Sequence, residues 1–252
     1  MGILNEPVEI LTEGLRAGYK EPARTGLSKR HTTTSDNFTA TAGQTDFTVT
    51  KTSLLCVNYV TQNTVTLKKY IHYNIDVRNN KIILVTGATL NDAIVINYDY
   101  NTSTVSWIFE RLPESQSKLT RNDYPRIVVT EMNGPSEYMG LGSTSTLDTF
   151  TFQIDIITKD GIEATNYIRI DNDGTSNTVT ENNQNRRLVR VLSRGIKNFV
   201  RRNLYNDLGA VFSLPPRDII LEDTPILFEE DKDIFRRSLV ISLRGKNLGE
   251  RE

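Results

Sequence analysis

The spacing of apolar side chains changes period along the chain, and each change predicts a different kind of element. Near the N-terminus Val8, Leu11 and Leu15 recur at intervals of three and four, the repeat of one helix face. Asn5 can cap that helix, Glu6 and Glu9 suit its positive end, and Pro7 is tolerated in its first turn. Gly18 and Pro22 close it. From Lys20 to Asp36 the chain is basic and then rich in Thr and Ser, without periodicity, which predicts a linker or extended arm. From Asn37 the period becomes two. Short runs rich in β-branched and aromatic residues follow at 46–49, 55–60, 65–67, 73–77, 81–85 and 93–98. Turn residues at Gly43-Gln44, Gln62-Asn63, Asn79-Asn80, Gly87 and Asn91-Asp92 punctuate them, the signature of an antiparallel sandwich or barrel.

A polar connector runs from Asn101 to Asp123 and carries the only tryptophan, Trp107, beside Ile108 and Phe109, an apolar trio expected to anchor it. The texture then changes again. Arg126 to Thr130 is a strand candidate. Phe150, Phe152, Ile154 and Ile156 alternate with Thr151, Gln153 and Asp155, which predicts a half-buried strand with a wet face that includes Asp155 and, nearby, Glu163. Tyr167–Ile170 is a weaker strand, and Asp171-Asn172-Asp173-Gly174 reads as a turn. Gln184 to Leu208 predicts the longest helix, and Phe235, Leu239, Ile241 and Leu243 alternate in a final strand. The expected fold class is α+β: a small antiparallel β-sandwich or barrel inserted into an α+β domain, whose mostly antiparallel sheet packs on a long helix. Residues 1–36 (N-terminal helix and linker) and 105–252 would form the assembly domain, with 37–104 the inserted β-domain.

Composition narrows function mainly by exclusion. With 37% hydrophobic and 24% charged residues the chain is expected to be globular rather than disordered. A formal net charge of −1 means that electrostatic function must come from local segregation of charge. The single cysteine, Cys56, sits in an apolar run and reads as a core residue. No apolar stretch has the length of a membrane span and the N-terminus does not resemble a signal peptide, so the expected compartment is a reducing cytoplasm.

The segregated charge lies on the long helix. Leu188, Leu192, Ile196, Phe199, Val200 and Leu204 mark one face, while Arg187, Arg190, Arg194, Lys197 and Arg201 mark the opposite one. From Arg186 to Arg202 there are seven basic residues and no acid. Three fates fit such a stripe: a solvated face, contact with an acidic segment of a neighbouring subunit, or contact with the phosphate backbone of passing DNA. The chain itself supplies an acidic segment, Glu222, Asp223, Glu229, Glu230, Asp231 and Asp233, around Pro225-Ile226-Leu227-Phe228.

Catalytic signals are weak. The two histidines, His31 and His72, share no metal-ligand spacing with Cys56, and no nucleophile elbow or phosphate-cradling glycine loop occurs. The expectation is a protein without catalytic, metal or cofactor residues and without a small-molecule substrate.

Residues 38–100 resemble a β-module of tailed-phage fibre and baseplate proteins. Phe38, Ala40, Gly43, Gln44, Thr45, Phe47 and Val49 match its start, and 91–98 match its tail, with Asn91 in place of the usual glycine. The remainder resembles tail-terminator and tail-completion (head–tail junction) proteins of tailed phages. That resemblance rests on Tyr124-Pro125-Arg126-Ile127-Val128-Val129, the strand 150–157, the long helix and the closing strand 235–241, preceded by an N-terminal helix. It implies a virion protein assembled in the host cytoplasm, a homo-oligomer forming a ring, hexameric in that family, that ends the tail tube. Its implied partners are tail-tube and neck or connector proteins, with transient contact to passing DNA and none to membrane. The alternative is a tail-fibre or baseplate attachment protein that binds through its β-domain.

Overall fold

The computed structural model describes residues 7–19, 21–24, 30–102, 106–110, 120–132, 136–138, 146–165, 167–170, 176–179, 183–201, 219–230 and 233–247. Helix α1 (Pro7–Gly18) is buried on two sides. Leu11 and Leu15 enter one hydrophobic core, while Thr12 and Glu13, turned away from them, are also almost inaccessible. The helix is therefore an inner layer between two sheets systems, which the apolar pattern at Val8, Leu11 and Leu15 revealed on one side only.

β1 (Ala23–Arg24) and β2 (His31–Thr39) run through the stretch whose composition predicts a linker. β2 is a strand because β8 (Ala93–Asn101) pairs with it over its full length, from His31↔Asn101 to Thr39↔Ala93. Threonine-rich sequence suits that role, since β-branched side chains favour the extended backbone. Between them lie β3 (Asp46–Thr48), β4 (Leu54–Gln62), β5 (Val65–Leu67), β6 (Tyr73–Asp76) and β7 (Lys81–Leu84). They form two antiparallel sheets, ordered β2-β8-β4-β5 and β3-β7-β6. One core fills the space between them, with Phe47, Ile75 and Ile82 from the smaller sheet and Val57, Ile96 and Tyr98 from the larger. Asn63, Asn80 and Asn91 take positive φ at the turns, a conformation asparagine tolerates better than most residues. The Asp92 carboxylate accepts from Thr89 N, Gln62 Nε2 and Asn63 Nδ2, which ties two turns together and holds its pKa below the ordinary aspartate value.

The second core belongs to the rest of the chain. Its strands are β9 (Ile108–Phe109), β10 (Arg126–Met132), β11 (Ser136–Tyr138), β12 (Thr146–Lys159), β13 (Glu163–Thr165), β14 (Tyr167–Ile170), β15 (Ser176–Val179) and β16 (Asn183–Gln184). Helix α2 (Asn185–Phe199) follows, and then β17 (Ile219–Asp223), β18 (Leu227–Glu229) and β19 (Ile234–Asn247). The main sheet is ordered β17-β19-β12-β10-β9, with β18 added to β19 and β11 to β12. All its pairs are antiparallel except β9–β10. Registers Val129↔Ile154↔Leu239 and Glu131↔Phe152↔Ile241 put Ile127, Val129, Phe152, Ile154, Ile156, Leu239 and Ile241 on one face. Leu188, Leu192 and Ile196 of α2 are completely buried in the same core, about 2 kcal/mol of hydrophobic stabilisation each.

The expected α+β architecture, a sheet packed on a long helix, is overturned. The described chain is mostly strand, in several antiparallel sheets, and its two α-helices span 12 and 15 residues. Of the helix predicted for 184–208, α2 accounts for 185–199, and 202–208 lie outside the described residues. The stretch 163–184 was expected to hold one weak strand and a loop. It contains four short strands whose neighbours, rather than any alternation of their own, specify them. The Asp171–Gly174 turn lies outside the described residues.

Candidate functional site

Polar side chains converge in three places, and the first is the junction between the two cores. Glu13 of α1 accepts the Val57 backbone N–H at 2.9 Å, and both its oxygens receive Lys69 Nζ at 2.8 Å. Tyr70 Oη donates to it as well, at 3.1 Å. Further along, Glu21 meets Arg30 Nε at 2.6 Å and Arg24 Nε at 3.3 Å, and receives the Arg30 backbone N–H. Arg30 also donates to the carbonyls of Asp123 and Pro125 at 2.8 and 2.7 Å, so it spans from the start of β2 to the start of β10. His31 lies between two carboxylates, with Nδ1 3.4 Å from Glu21 and Nε2 3.9 Å from Asp99.

Burial alone would disfavour the ionised form of Glu21. The His31 hydrogen bond and the Arg30 and Arg24 charges outweigh it and hold the carboxyl at about 2. Burial draws Arg30 down to about 10, against the pull of Glu21. The cluster is thus a set of ion pairs and hydrogen bonds that close on one another, suited to holding two modules in fixed relation. A small recess nearby is lined by Arg16, His31, Cys56, Asp99 and Trp107, but Arg16 Nε and Nη2 already donate to the Ile108 carbonyl, and Cys56 is completely buried.

The second place is the polar face of the main sheet. Asp155, expected on a wet face, is only 2% exposed. It receives Arg236 through Nε and Nη2 at 3.2 and 2.7 Å, together with the hydroxyl of Ser238. Arg236 reaches it because β19 lies next to β12, a neighbour 81 residues away in sequence. Glu163 is half-buried. Arg126, at the start of β10, is fully buried with its guanidinium 5.0 Å from the Tyr124 ring centroid, and none of its three side-chain nitrogens finds a hydrogen-bond acceptor among the described residues. Burial lowers its pKa.

The third place is the outer face of α2. Leu188, Val189, Leu192, Ser193, Ile196 and Phe199 turn inward, which leaves Arg187, Arg190, Arg194 and Arg201 exposed and Lys197 half-buried. Lys197 Nζ lies 3.2 Å from Asp223 Oδ2, which also takes Arg237 Nη2 at 3.0 Å. The basic stripe and the acidic segment therefore meet within one molecule. Asp223 ends β17, and Glu222, Glu230 and Asp233 are exposed on the same sheet edge, with Glu229 half-buried and Asp231 outside the described residues. Among them Leu227 is 59% and Phe228 47% exposed, Phe228 stacking on Phe235 at 4.6 Å.

Among the described residues no group of His, Cys, Asp and Glu is arranged to hold a metal ion, and His31 and His72 lie in different surroundings. The chain matches no family model and no curated protein. Sequence reasoning located the stripe and the acidic segment but missed Glu13, Glu21, Arg30 and Arg126. Nothing local marked them, since an acid in an amphipathic helix ordinarily faces solvent and each of these side chains is buried by partners distant in sequence.

Proposed function

We propose that this protein is a structural, non-catalytic virion subunit of a tailed phage, a ring-forming tail terminator or head–tail junction protein. The observation that supports this most is the convergence of distant segments on one sheet. The strand that starts in Tyr124-Pro125-Arg126-Ile127, the strand containing 150–157 and the closing strand containing 235–241 are adjacent, as β10, β12 and β19. α1 and α2 contribute to the core on the apolar side of that sheet. These are the segments on which the resemblance to tail-completion proteins rests, and they form one body.

In this reading copies of the chain bury unlike surfaces against one another, and the rotation closes a ring. The β-module, bolted through Glu13 and Arg30, projects as a fixed part of each subunit toward a collar or capsid neighbour. Tail-tube and neck proteins are the partners above and below, and DNA passes through the channel. Negative-stain images and the mass of the purified protein test the reading. Six subunits, or a multiple, around a central hole support it, whereas a trimer favours fibre attachment and a monomer at high concentration removes it.

A further inference from the structure

Helix α2 gives its apolar side to the core and carries charge of one sign on the other. Leu188, Leu192 and Ile196 are completely buried. Arg187, Arg190, Arg194 and, directly after the cap residue Val200, Arg201 are exposed. Steps of three, four and seven residues keep them on one stripe, roughly 20 Å from end to end. Asn185–Phe199 contains no acid. Arg190, Arg194 and Arg201 have no ion-pair partner among the described residues. Beside the stripe Asp223 is taken up by Lys197 and Arg237, so that corner keeps a net positive charge. The registers Glu222↔Val240↔Gln153 place Glu222 on the sheet face opposite α2.

These residues separate the occupants that a basic helix face could take. A membrane surface needs the apolar side of the helix to enter the headgroups, and that side is closed in the core. A protein interface needs an apolar or aromatic centre inside its charged rim, and no large apolar side chain of α2 is exposed. A phosphate backbone needs neither, because regularly spaced positive charge is enough to hold it. We infer that the outer face of α2 is a track for the phosphate backbone of duplex DNA, held without regard to base sequence. Over the length of the stripe one strand presents about six phosphates, so each arginine has a counter-charge within reach. Guanidinium suits the task, since its planar fork takes two phosphate oxygens at once. The one aromatic residue of α2, Phe199, is buried and cannot stack an unpaired base, which favours duplex over single strand. The inference deepens the ring reading by assigning a surface to the passing DNA, yet the contact needs only one helix and stands without a ring.

Fluorescence anisotropy of two labelled duplexes, equal in length and unrelated in sequence, tests this with the full chain. Both should bind alike. Affinity should fall on the order of a hundredfold between about 50 and 200 mM salt, a log–log slope of about −3 to −4 for three or four phosphate contacts. Arg190→Gln with Arg194→Gln should weaken both duplexes equally, by at least about tenfold at the lower salt, and flatten the slope by about 2. Arg190→Lys with Arg194→Lys keeps the charges and should keep the slope. Lys51→Gln with Arg78→Gln removes two exposed charges from the β-module and should change little. Should the double glutamine variant disturb folding, Arg201→Gln alone should flatten the slope by about 1. Absence of binding at about 50 mM salt overturns the inference, and so does tighter binding of a single strand than of the duplex. An equal loss in the Lys51 and Arg78 variant makes the attraction a property of charge anywhere on the chain and also overturns it. Normal DNA binding by the Arg190 and Arg194 glutamine variant, with a fall in assembly mass, assigns the stripe to a protein partner and overturns it too. Mass photometry reads the ring separately, so single chains that bind DNA with this slope leave the inference standing where the ring reading falls.

Discussion

Both carboxylate oxygens of Glu13 stand 2.8 Å from Lys69 Nζ, a largely buried ion pair that joins the first helix to a loop of the β-module 56 residues away. Removing one partner of such a pair leaves an uncompensated buried charge. Glu13→Ala is expected to cost about 3 kcal/mol. Glu13→Gln, which keeps the volume, should recover only part of it. Urea unfolding curves measure both, and a loss below 1 kcal/mol would show the junction to be solvated.

Acid should loosen the same junction through Glu21. Its folded pKa, about 2, lies below the ordinary value of 4.5, so its contribution is complete above pH 4.5 and is lost as pH falls toward 2. The loss is on the order of 3 kcal/mol across that window. Denaturant midpoints measured from pH 6 to pH 2 should show a step that Glu21→Gln abolishes. An identical step in that variant would assign it to other carboxylates.

Arg126 makes the opposite prediction. A buried guanidinium without acceptors among the described residues is costly, and an apolar side chain of similar length removes the cost. Arg126→Met should therefore leave stability unchanged or raise it by about 1–3 kcal/mol, read as a higher urea midpoint. A clear loss would mean that the guanidinium has an acceptor in solution.

Gly195 lies inside α2, where alanine would ordinarily favour the helix by about 1 kcal/mol. Here an added Cβ would overlap the Tyr19 ring and hydroxyl. Gly195→Ala is expected to lower the melting temperature despite the better propensity, and Gly195→Ala with Tyr19→Leu should recover part of the loss.

What the chain's pattern disclosed, and what it concealed, follows from range. The alternation at Phe152, Ile154 and Ile156 identified a strand and its apolar face, because period two is a local property. It did not disclose that Asp155, on the other face, would be buried, since Arg236 arrives from a distant strand. The Thr-rich stretch at 31–36 reads as linker until β8 pairs with it. Lys197 and Asp223 were each marked by sequence as members of opposite charge clusters, yet their contact within one molecule depends on the placement of α2 beside the sheet edge. The helix-periodic pattern at 188–200 is strong but covers a small part of the chain, so it gave the helix undue weight in the expected fold class.

The account rests on copies of this chain being one another's main partners, and mass photometry of the purified protein across a range of salt concentrations tests that most directly. It predicts a discrete assembly of six chains or a multiple, with smaller species, pairs among them, appearing as added salt screens the contacts. A single peak at 28.6 kDa at every salt concentration would contradict it.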